Sequence, residues 1–216
     1  MKNIFIWDQY KLIEDNILKF LQKNAQNIPK SIANSPRSIW DTIEQMIREN
    51  LESIIWIDIK DYNWEFERRA MADLAFSDTD WNYYIVDVKT HNLGTKFNMP
   101  NLSSVERLAR FYRNDNNFFI ILKVDYTVDT EITISNIELL PIEHFDWECL
   151  TLWALWRWQL QIANANKVVI NRKQARKSWM IYFCDMMVNS FYPNEISKIS
   201  DRIEYFKIEL DYWNNK

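Results

Sequence analysis

Residues 83–101, YYIVDVKTHNLGTKFNMPN, decide the fold that we predict for this chain. They begin as a run of aromatic and branched residues typical of a buried strand, and then present Asp87, Val88 and Lys89. Because alternate residues of a strand share a face, Asp87 and Lys89 should point to one side of a sheet and Val88 to the other. Gly94, the one glycine in 216 residues, follows almost at once. We expect it to form a tight turn with positive φ.

Helix patterns precede this stretch. Residues 9–22 and 35–54 carry apolar residues at helical spacing, and the second segment opens with Ser35 and Pro36, a good helix start. A further helix is predicted at residues 103–112, opened by a capping box of Ser103 and Glu106. Helices are also expected from Gln174 onward.

Strand patterns alternate with these helices. They occupy residues 53–60, 71–76, 82–90, 117–128 and 131–140, and residues 158–171 alternate like another strand or ribbon. At 48% hydrophobic residues the chain can bury one substantial core, and no flexible linker divides it. We therefore expect a single domain over residues 1–216 with an α/β fold, a mixed central β-sheet flanked by helices.

The turn-rich residues 77–81, SDTDW, favour a hairpin between two of these strands. If residues 71–76 pair antiparallel with the strand that follows, Asp73 comes close to Asp87, and two carboxylates converge with Lys89 at a strand end. Burying such groups is costly unless they are paired or bind a cation. Oxygen ligands of this kind favour Mg²⁺, with the lysine beside an attacking water.

A second Asp-x-Lys, Asp58 and Lys60, shows how common the pattern is. It lacks an acid at hairpin spacing and the loop that follows Lys89, so we interpret it as an ordinary strand end with polar residues in solvent. From these residues alone, the same interpretation stays open for Asp87 and Lys89.

Charge is unevenly distributed along the chain, whose net charge is −4. Residues 149–184 contain no acid, and residues 88–105 form a second acid-free window. The basic residues in or just after these windows are Arg157, Lys167, Arg172, Lys173, Arg176, Lys177, Arg107, Arg110 and Arg113. This separation of basic from acidic residues favours two positive surfaces on an otherwise acidic protein, as binding of a polyanion requires. The alternative is an uneven scatter of solvated lysines.

Compartment signals are sparse. The N-terminal residues MKNIFIWDQY lack the apolar core of a signal peptide, and no apolar run approaches the length of a membrane span. Cys149 and Cys184 fit neither a disulfide framework nor a zinc site. We expect buried, unreactive thiols, no membrane association and a cytoplasmic location.

A resemblance adds to these patterns. The segments MADLAF and YYIVDVKT, at residues 71–76 and 83–90, resemble the PD-(D/E)xK nuclease motif, with Ala72 where the family often has proline. Residues 86–128 are similar to the blunt-cutting type II restriction endonucleases of the HincII and HpaI (EcoRV-like) group, in which Asp-Val-Lys leads through a polar loop to Pro-Asn, a helix and an apolar strand. Residues 158–179 resemble the Gln-x-Gln strand and Arg-x-x-Trp helix start of that group, here Gln159, Gln161, Arg176 and Trp179.

The resemblance covers about half the chain and implies a PD-(D/E)xK core with Mg²⁺ as cofactor. It implies that Asp73, Asp87 and the Val88 carbonyl hold the metal, and that Lys89 is the catalytic lysine. A glutamate on the second helix often assists in the family, and Glu44 is the candidate here, with Asp41 as competitor.

The resemblance also implies contacts with double-stranded DNA. Phe97 and Asn98 fall where family members press side chains into the minor groove and base stack, unless Phe97 folds back onto the protein. Asn101 matches an asparagine that reads an adenine edge. Asn164, Asn166 and Lys167 are candidates for the major groove, and Arg107, Arg110, Lys173, Arg176 and Lys177 for phosphate contacts. His91 is expected to be an exposed loop residue.

The function implied is a type II restriction endonuclease that acts as a homodimer on a short palindromic site. It would cut both strands, giving blunt ends with 5′-phosphate and 3′-hydroxyl groups, in a bacterial cytoplasm that also holds a cognate DNA methyltransferase. Another PD-(D/E)xK nuclease, for repair or junction resolution, and a catalytically silent DNA-binding domain of the same fold are the alternatives.

Overall fold

The computed structural model describes residues 3–5, 8–32, 35–55, 59–62, 73–153 and 158–215. Two compact units divide the chain, Met1–Asn171 and Arg172–Lys216. That residues 1–216 form a single domain stays a prediction. Asp58, Ala72 and Arg157, named among the sequence patterns, lie outside the described residues, as does the side chain of Lys60.

The helices of the first unit are α1 (Gln9–Asn24), α2 (Pro36–Ile54) and α3 (Val105–Phe111). The predictions of α1 and α2 are confirmed. Ser35 caps α2, since its hydroxyl oxygen accepts a hydrogen bond from the Ser38 N–H at 3.3 Å, and Pro36 occupies the first turn. The capping box predicted for α3 is wrong: the helix begins after Ser104 without a side-chain cap, because Ser103 lies in the preceding strand.

Five strands form the central sheet: β1 (Ile59–Tyr62), β2 (Leu74–Asp78), β3 (Tyr83–Asn92), β5 (Asn117–Val128) and β6 (Ile132–Pro141). Their order is β1-β2-β3-β5-β6; β3 and β5 are parallel and the other neighbours antiparallel. A smaller antiparallel sheet has the order β4-β8-β7, from β4 (Asn101–Ser104), β7 (Leu150–Trp153) and β8 (Gln159–Ile162). The predicted mixed α/β fold, with a mixed central sheet and flanking helices, is confirmed.

One face of the central sheet forms the main core with α1 and α2. Tyr84, Val86 and Val88 of β3 lie in this core beside Ile43 and Ile47 of α2. Because side chains alternate along a strand, Asp87, Lys89 and His91 point to the opposite face. The pattern that buries Val88 therefore places the candidate acid and lysine together on the other side.

Some boundaries differ from the sequence patterns. Residues 53 and 54, predicted as the start of a strand, belong to α2, because Leu51 and Ile54 continue its buried helical spacing. Of residues 158–171, only Gln159–Ile162 form a strand, and a short 3-10 turn follows at Ala165–Lys167. The predicted strand or ribbon is therefore a short strand followed by a loop.

The second unit is helical, as predicted from Gln174 onward. It contains α4 (Arg176–Met186), a π-helical turn (Met187–Phe191) and α5 (Tyr192–Asn214). Trp179 and Phe183 are buried and stack with ring centroids 5.7 Å apart. Within the part of the chain that the structure describes, no helix has the length and apolar character needed to cross a membrane.

Neither cysteine forms a disulfide. Cys149 is buried, as expected, whereas Cys184 is exposed on α4, so the prediction of two buried thiols is right only for Cys149.

Candidate active site at the end of strand β3

The β2–β3 hairpin brings the two candidate acids together. Leu74 pairs with Val86, and the Asp73 N–H donates to the Val86 carbonyl at 3.1 Å, which places Asp73 opposite Asp87. The turn is held by Asp78, whose carboxylate accepts from two backbone N–H groups within residues 80–82. The predicted antiparallel pairing and the closeness of Asp73 to Asp87 are thus observed.

The carboxylates and the lysine form a compact cluster. Lys89 Nζ donates to Asp87 Oδ1 at 2.6 Å, and Asp73 Oδ2 accepts from the Val88 N–H at 2.7 Å. Asp87 is only 5% exposed. Its second oxygen, Oδ2, is buried and has no hydrogen-bond partner among the described residues. A charged oxygen buried in this way is unfavourable unless a proton or a cation joins it.

The pKa of Asp87 reflects this environment. Burial raises the pKa to about 8; the positive charge of Lys89 opposes the rise, and the negative charge of Asp73 adds to it. When Asp87 is protonated, it can donate a hydrogen bond to Asp73, and when both acids are ionised their oxygens repel. The pair therefore favours either a shared proton or a bound cation.

Helix α2 completes this strand end with side chains one turn apart. Trp40 Nε1 donates to the Val88 carbonyl at 2.6 Å. Glu44 is buried and forms an ion pair with Arg48, whose Nη2 lies 3.5 Å from the Asp73 carbonyl oxygen. Burial, followed by the charge of Asp73, raises the pKa of Glu44.

Asp41, the competing acid on α2, faces a different environment. Its side chain is 55% exposed and pairs with Arg37 at 3.2 Å. Of the two candidates, Glu44 is therefore the one held against the strand end. Trp40 and Arg48 were not identified from the sequence, although they lie four residues before and after Glu44, the spacing that shares a helix face.

The residues present fit Mg²⁺. Among the described residues, no group of three or more His, Cys, Asp or Glu side chains is arranged to hold a metal ion, so the candidate site has two carboxylates and a backbone carbonyl. The donors are all oxygens, Asp87 Oδ2 is unsatisfied, and the Val88 carbonyl keeps a second lone pair beside its bond to Trp40. Mg²⁺ commonly uses one or two carboxylates and completes its shell with water and phosphate oxygens.

A buried polar network continues along the same face of the sheet. His91 Nδ1 donates to Asp125 Oδ1 at 2.9 Å, and Lys123 Nζ donates to Asp125 Oδ2 at 2.8 Å and to Glu138 Oε2 at 3.2 Å. Burial disfavours the charges of Lys123 and Asp125, but these bonds raise the pKa of Lys123 and lower that of Asp125. The prediction that His91 is an exposed loop residue is wrong, since it is 5% exposed within β3.

The two predicted DNA-recognition segments lie together. The Ala165 N–H donates to the Asn98 carbonyl at 2.7 Å, and Asn166 Nδ2 donates to the Thr95 carbonyl at 3.1 Å. Asn166 Oδ1 also lies 3.0 Å from His91 Nε2. The amide of Asn166, a candidate base reader, is thus occupied by bonds within the protein.

The side chains of Asn101 and Phe97 are both exposed. Asn101 is exposed and pairs across β4 and β8 with Gln161, whose Nε2 donates to Asn101 Oδ1. Phe97 is 61% exposed, so it does not fold back onto the described protein. Gln161, which resembles part of a family motif, therefore orients the asparagine expected to read a base.

Gly94 does not have the positive φ predicted for it. The turn is closed instead by Asn92, whose Oδ1 accepts from the Gly94 N–H at 2.8 Å. A Cβ at this glycine would lie 3.2 Å from the same oxygen, which explains a small residue here without backbone strain.

The remaining candidates lie on other elements of the two units. Arg107 and Arg110 are exposed on α3, Lys167 is exposed beside Asn166, and Asn164 accepts from the Asn166 N–H. Lys173, Arg176 and Lys177 belong to the second unit, at and before the start of α4. The structure thus brings Glu44, Asp73, Asp87, Val88 and Lys89 together, and separately joins the loops around Asn98 and Asn166.

No protein-family model matches this chain, and a search of curated proteins also finds no match.

Proposed function

We propose that this protein is a Mg²⁺-dependent type II restriction endonuclease with a PD-(D/E)xK core. It would act as a homodimer on a short palindromic site in double-stranded DNA and cut both strands, giving blunt ends with 5′-phosphate and 3′-hydroxyl groups. We place it in a bacterial cytoplasm with a cognate DNA methyltransferase. The observation that carries the proposal is the buried Asp87 Oδ2, which has no hydrogen-bond partner among the described residues, while the other oxygen, Oδ1, accepts from Lys89.

Each side chain of the cluster has a distinct part in this proposal. Asp73 and Asp87 would hold the cation together with the Val88 carbonyl. When bound, Mg²⁺ would polarise the phosphodiester and offset the charge that develops on it. Lys89, fixed by its 2.6 Å bond to Asp87, would orient the attacking water and assist its deprotonation. Glu44 would complete the acidic side of the site, with Arg48 balancing its charge.

The joined loops support recognition of a duplex. Exposed Phe97 and Asn101 lie on segments that follow β3 directly, so the groups that we propose to contact bases are connected to the strand that carries Lys89. Exposed Arg107 and Arg110 suit phosphate contacts, which position a protein without specifying sequence.

The decisive experiment is a digest of a long, sequenced phage DNA with Mg²⁺. We expect discrete fragments from the wild type and from Lys11→Ala, a change at an exposed surface lysine, and no cleavage by Lys89→Ala. Sequencing the fragment ends gives the site and the cut position. A smear would favour a repair or junction-resolving nuclease, and no cleavage by a folded wild type would favour a silent DNA-binding domain.

The role of Glu44 is tested on the same substrate. Glu44→Gln and Asp41→Asn neutralise two acids on one helix, but only the first lies against the strand end. We expect about a hundredfold loss of cleavage rate for Glu44→Gln, in the range of acid–base assistance, and little change for Asp41→Asn. Equal rates for the two variants would remove Glu44 from the site.

A further inference from the structure

Helix α5 is the longest helix described, yet none of its residues is buried. Most helices in proteins are stabilised by packing an apolar face rather than by intrinsic propensity. Six apolar side chains of α5 are each between 48% and 67% exposed; we name them the α5 seam: Ile196, Ile199, Ile203, Phe206, Leu210 and Trp213. An exposed apolar stripe of this size is typical of a surface that binds another protein surface.

The spacing of the α5 seam is that of a coiled coil. Successive members are three, four, three, four and three residues apart. This is the a/d alternation of the heptad repeat, which directs one stripe of a helix toward a second helix. The stripe starts after the π-helical turn at Met187–Phe191, where the helical phase changes.

We propose that the α5 seam is a self-association surface, on which α5 of one copy packs antiparallel against α5 of a second copy. The proposal deepens the proposed function, from which it takes the need for a homodimer, by naming the contact between the copies. It specifies both the occupant of the surface and the direction in which that occupant lies.

Side-chain size favours the antiparallel direction. With the twofold axis midway along the seam, Ile203 of one copy meets Phe206 of the other, Ile199 meets Leu210, and Ile196 meets Trp213. A parallel pair in register would instead oppose Phe206 to Phe206 and Trp213 to Trp213. Facing positions that combine a large and a smaller side chain fill the interface more evenly.

Charge at the flanking positions favours the same direction. Arg202 and Glu209 both precede an a position, and in the antiparallel register Arg202 of one copy faces Glu209 of the other, twice by symmetry. In a parallel pair Arg202 would face Lys207 of the other copy, a like-charge contact. Flanking charges of this kind set the orientation of coiled coils.

The area is adequate for a dimer. A buried side chain of this size removes on the order of 100 Å² from water, so six on each copy bury about 600 Å² per partner, the lower end of the range for specific interfaces. Tyr205, Ile208 and Tyr212 are also exposed on α5 but lie off the seam. Ile208 therefore provides a matched control of the same residue type on the same helix.

The first test is the mass of the full chain by sedimentation equilibrium without DNA. We expect a dimer for the wild type and for Ile208→Glu, and a dissociation constant raised by roughly a hundredfold or more for Ile203→Glu, because a carboxylate would enter the seam. Circular dichroism checks that both variants keep their helices. A wild type that stays monomeric, or two variants that dissociate equally, would overturn the proposal.

The second test gives the direction. In the antiparallel arrangement Arg202→Glu opposes like charges and should weaken the dimer by about tenfold, and the double change Arg202→Glu with Glu209→Arg should restore it. In a parallel arrangement the single change would oppose Lys207 and tighten the dimer. Tightening, or no restoration by the double change, would therefore overturn the antiparallel arrangement.

Neither test depends on cleavage. A dimer that passes both tests but does not cut DNA would contradict the nuclease and leave the α5 contact standing. If instead the protein cuts DNA at discrete sites but its dimer survives Ile203→Glu, the nuclease would stand and the α5 contact would be contradicted.

Discussion

Asp87 is an acid whose charged form is disfavoured where it lies. Its pKa is raised to about 8, mainly by burial, from an ordinary value of 3.8. The folded protein therefore binds this proton more tightly than the unfolded chain does. The resulting stabilisation is complete below about pH 4 and is lost as the pH rises through about 8. In the absence of a cation, the contribution of Asp87 to the stability of the folded protein is thus smallest at the alkaline end of this range.

We expect Asp87→Asn to flatten the pH dependence of stability. With a chelator present, the free energy of unfolding of the wild type should fall between about pH 4 and pH 8 by on the order of 5 kcal/mol more than that of the variant. Urea unfolding at several pH values measures this. Glu44, whose pKa is also raised, acts in the same direction in both proteins.

Asp41→Asn, at an exposed acid, is the control for this comparison and should keep the wild-type pH dependence. Adding Mg²⁺ at pH 8 should restore stability to the wild type but not to Asp87→Asn, since a cation on Asp87 Oδ2 replaces the proton. Parallel curves for the wild type and Asp87→Asn would contradict the burial of an ionised Asp87.

At the scale of elements, β3 is connected to both loops through one side chain. Asn166 Oδ1 lies 3.0 Å from Nε2 of His91 on β3, and Asn166 Nδ2 donates to the Thr95 carbonyl. The bond from the Ala165 N–H to the Asn98 carbonyl is a direct contact between the two loop backbones. Asn166 therefore orders the loops around the candidate site more than it offers its amide to a base.

We expect Asn166→Ala to loosen these loops without unfolding the protein. The amides of Thr95 and Ala165 should exchange with solvent about tenfold faster, because the bonds to His91 and Thr95 are lost. Hydrogen exchange followed by NMR or mass spectrometry measures the change. Asn189→Ala, which removes a bond to Asp185 on the second unit, should leave these two amides unchanged. Unchanged exchange in Asn166→Ala would mean that the backbone contacts alone hold the loops.

Elements bounded by local signals were predictable from the sequence. Strand β5 occupies the predicted residues 117–128, since polar turns bound an apolar run, and α2 begins at Ser35 and Pro36 as its start signal indicates. The pair Asp73 and Asp87 followed from hairpin spacing and the period of a strand. In each case the deciding information lies within a few residues.

Features set by distant residues were not predictable. His91 was assigned to a loop because the strand pattern ends at Thr90, but β3 continues to Asn92 where Tyr126 of β5 pairs alongside it. The bond from Trp40 to Val88 joins residues 48 positions apart. The prediction of a positive φ at Gly94 is wrong for a local reason. The Asn92 side chain accepts a hydrogen bond from the Gly94 N–H and closes the turn without it.

At the scale of the whole molecule, a protein of negative net charge is proposed to bind DNA, which is itself negatively charged. The net charge of −4 would repel DNA at long range, so the DNA binding that we propose would rely on local groups of cations. Arg107 and Arg110 are such a group, because both are exposed on the short helix α3 that follows β4. Phosphate contacts made by such cations release counterions and make affinity fall with salt.

We expect the double change Arg107→Ala with Arg110→Ala to reduce the salt dependence of DNA binding. Each phosphate contact contributes about 0.9 to the slope of log affinity against log salt, so the slope should fall by about two. Fluorescence anisotropy of a labelled duplex, measured in the Lys89→Ala background to prevent cleavage, gives the slope. Lys19→Ala with Lys23→Ala, at two exposed cations of α1, should leave the slope unchanged. An equal fall in both pairs would indicate a general effect of net charge, which would remove α3 from the DNA-binding surface.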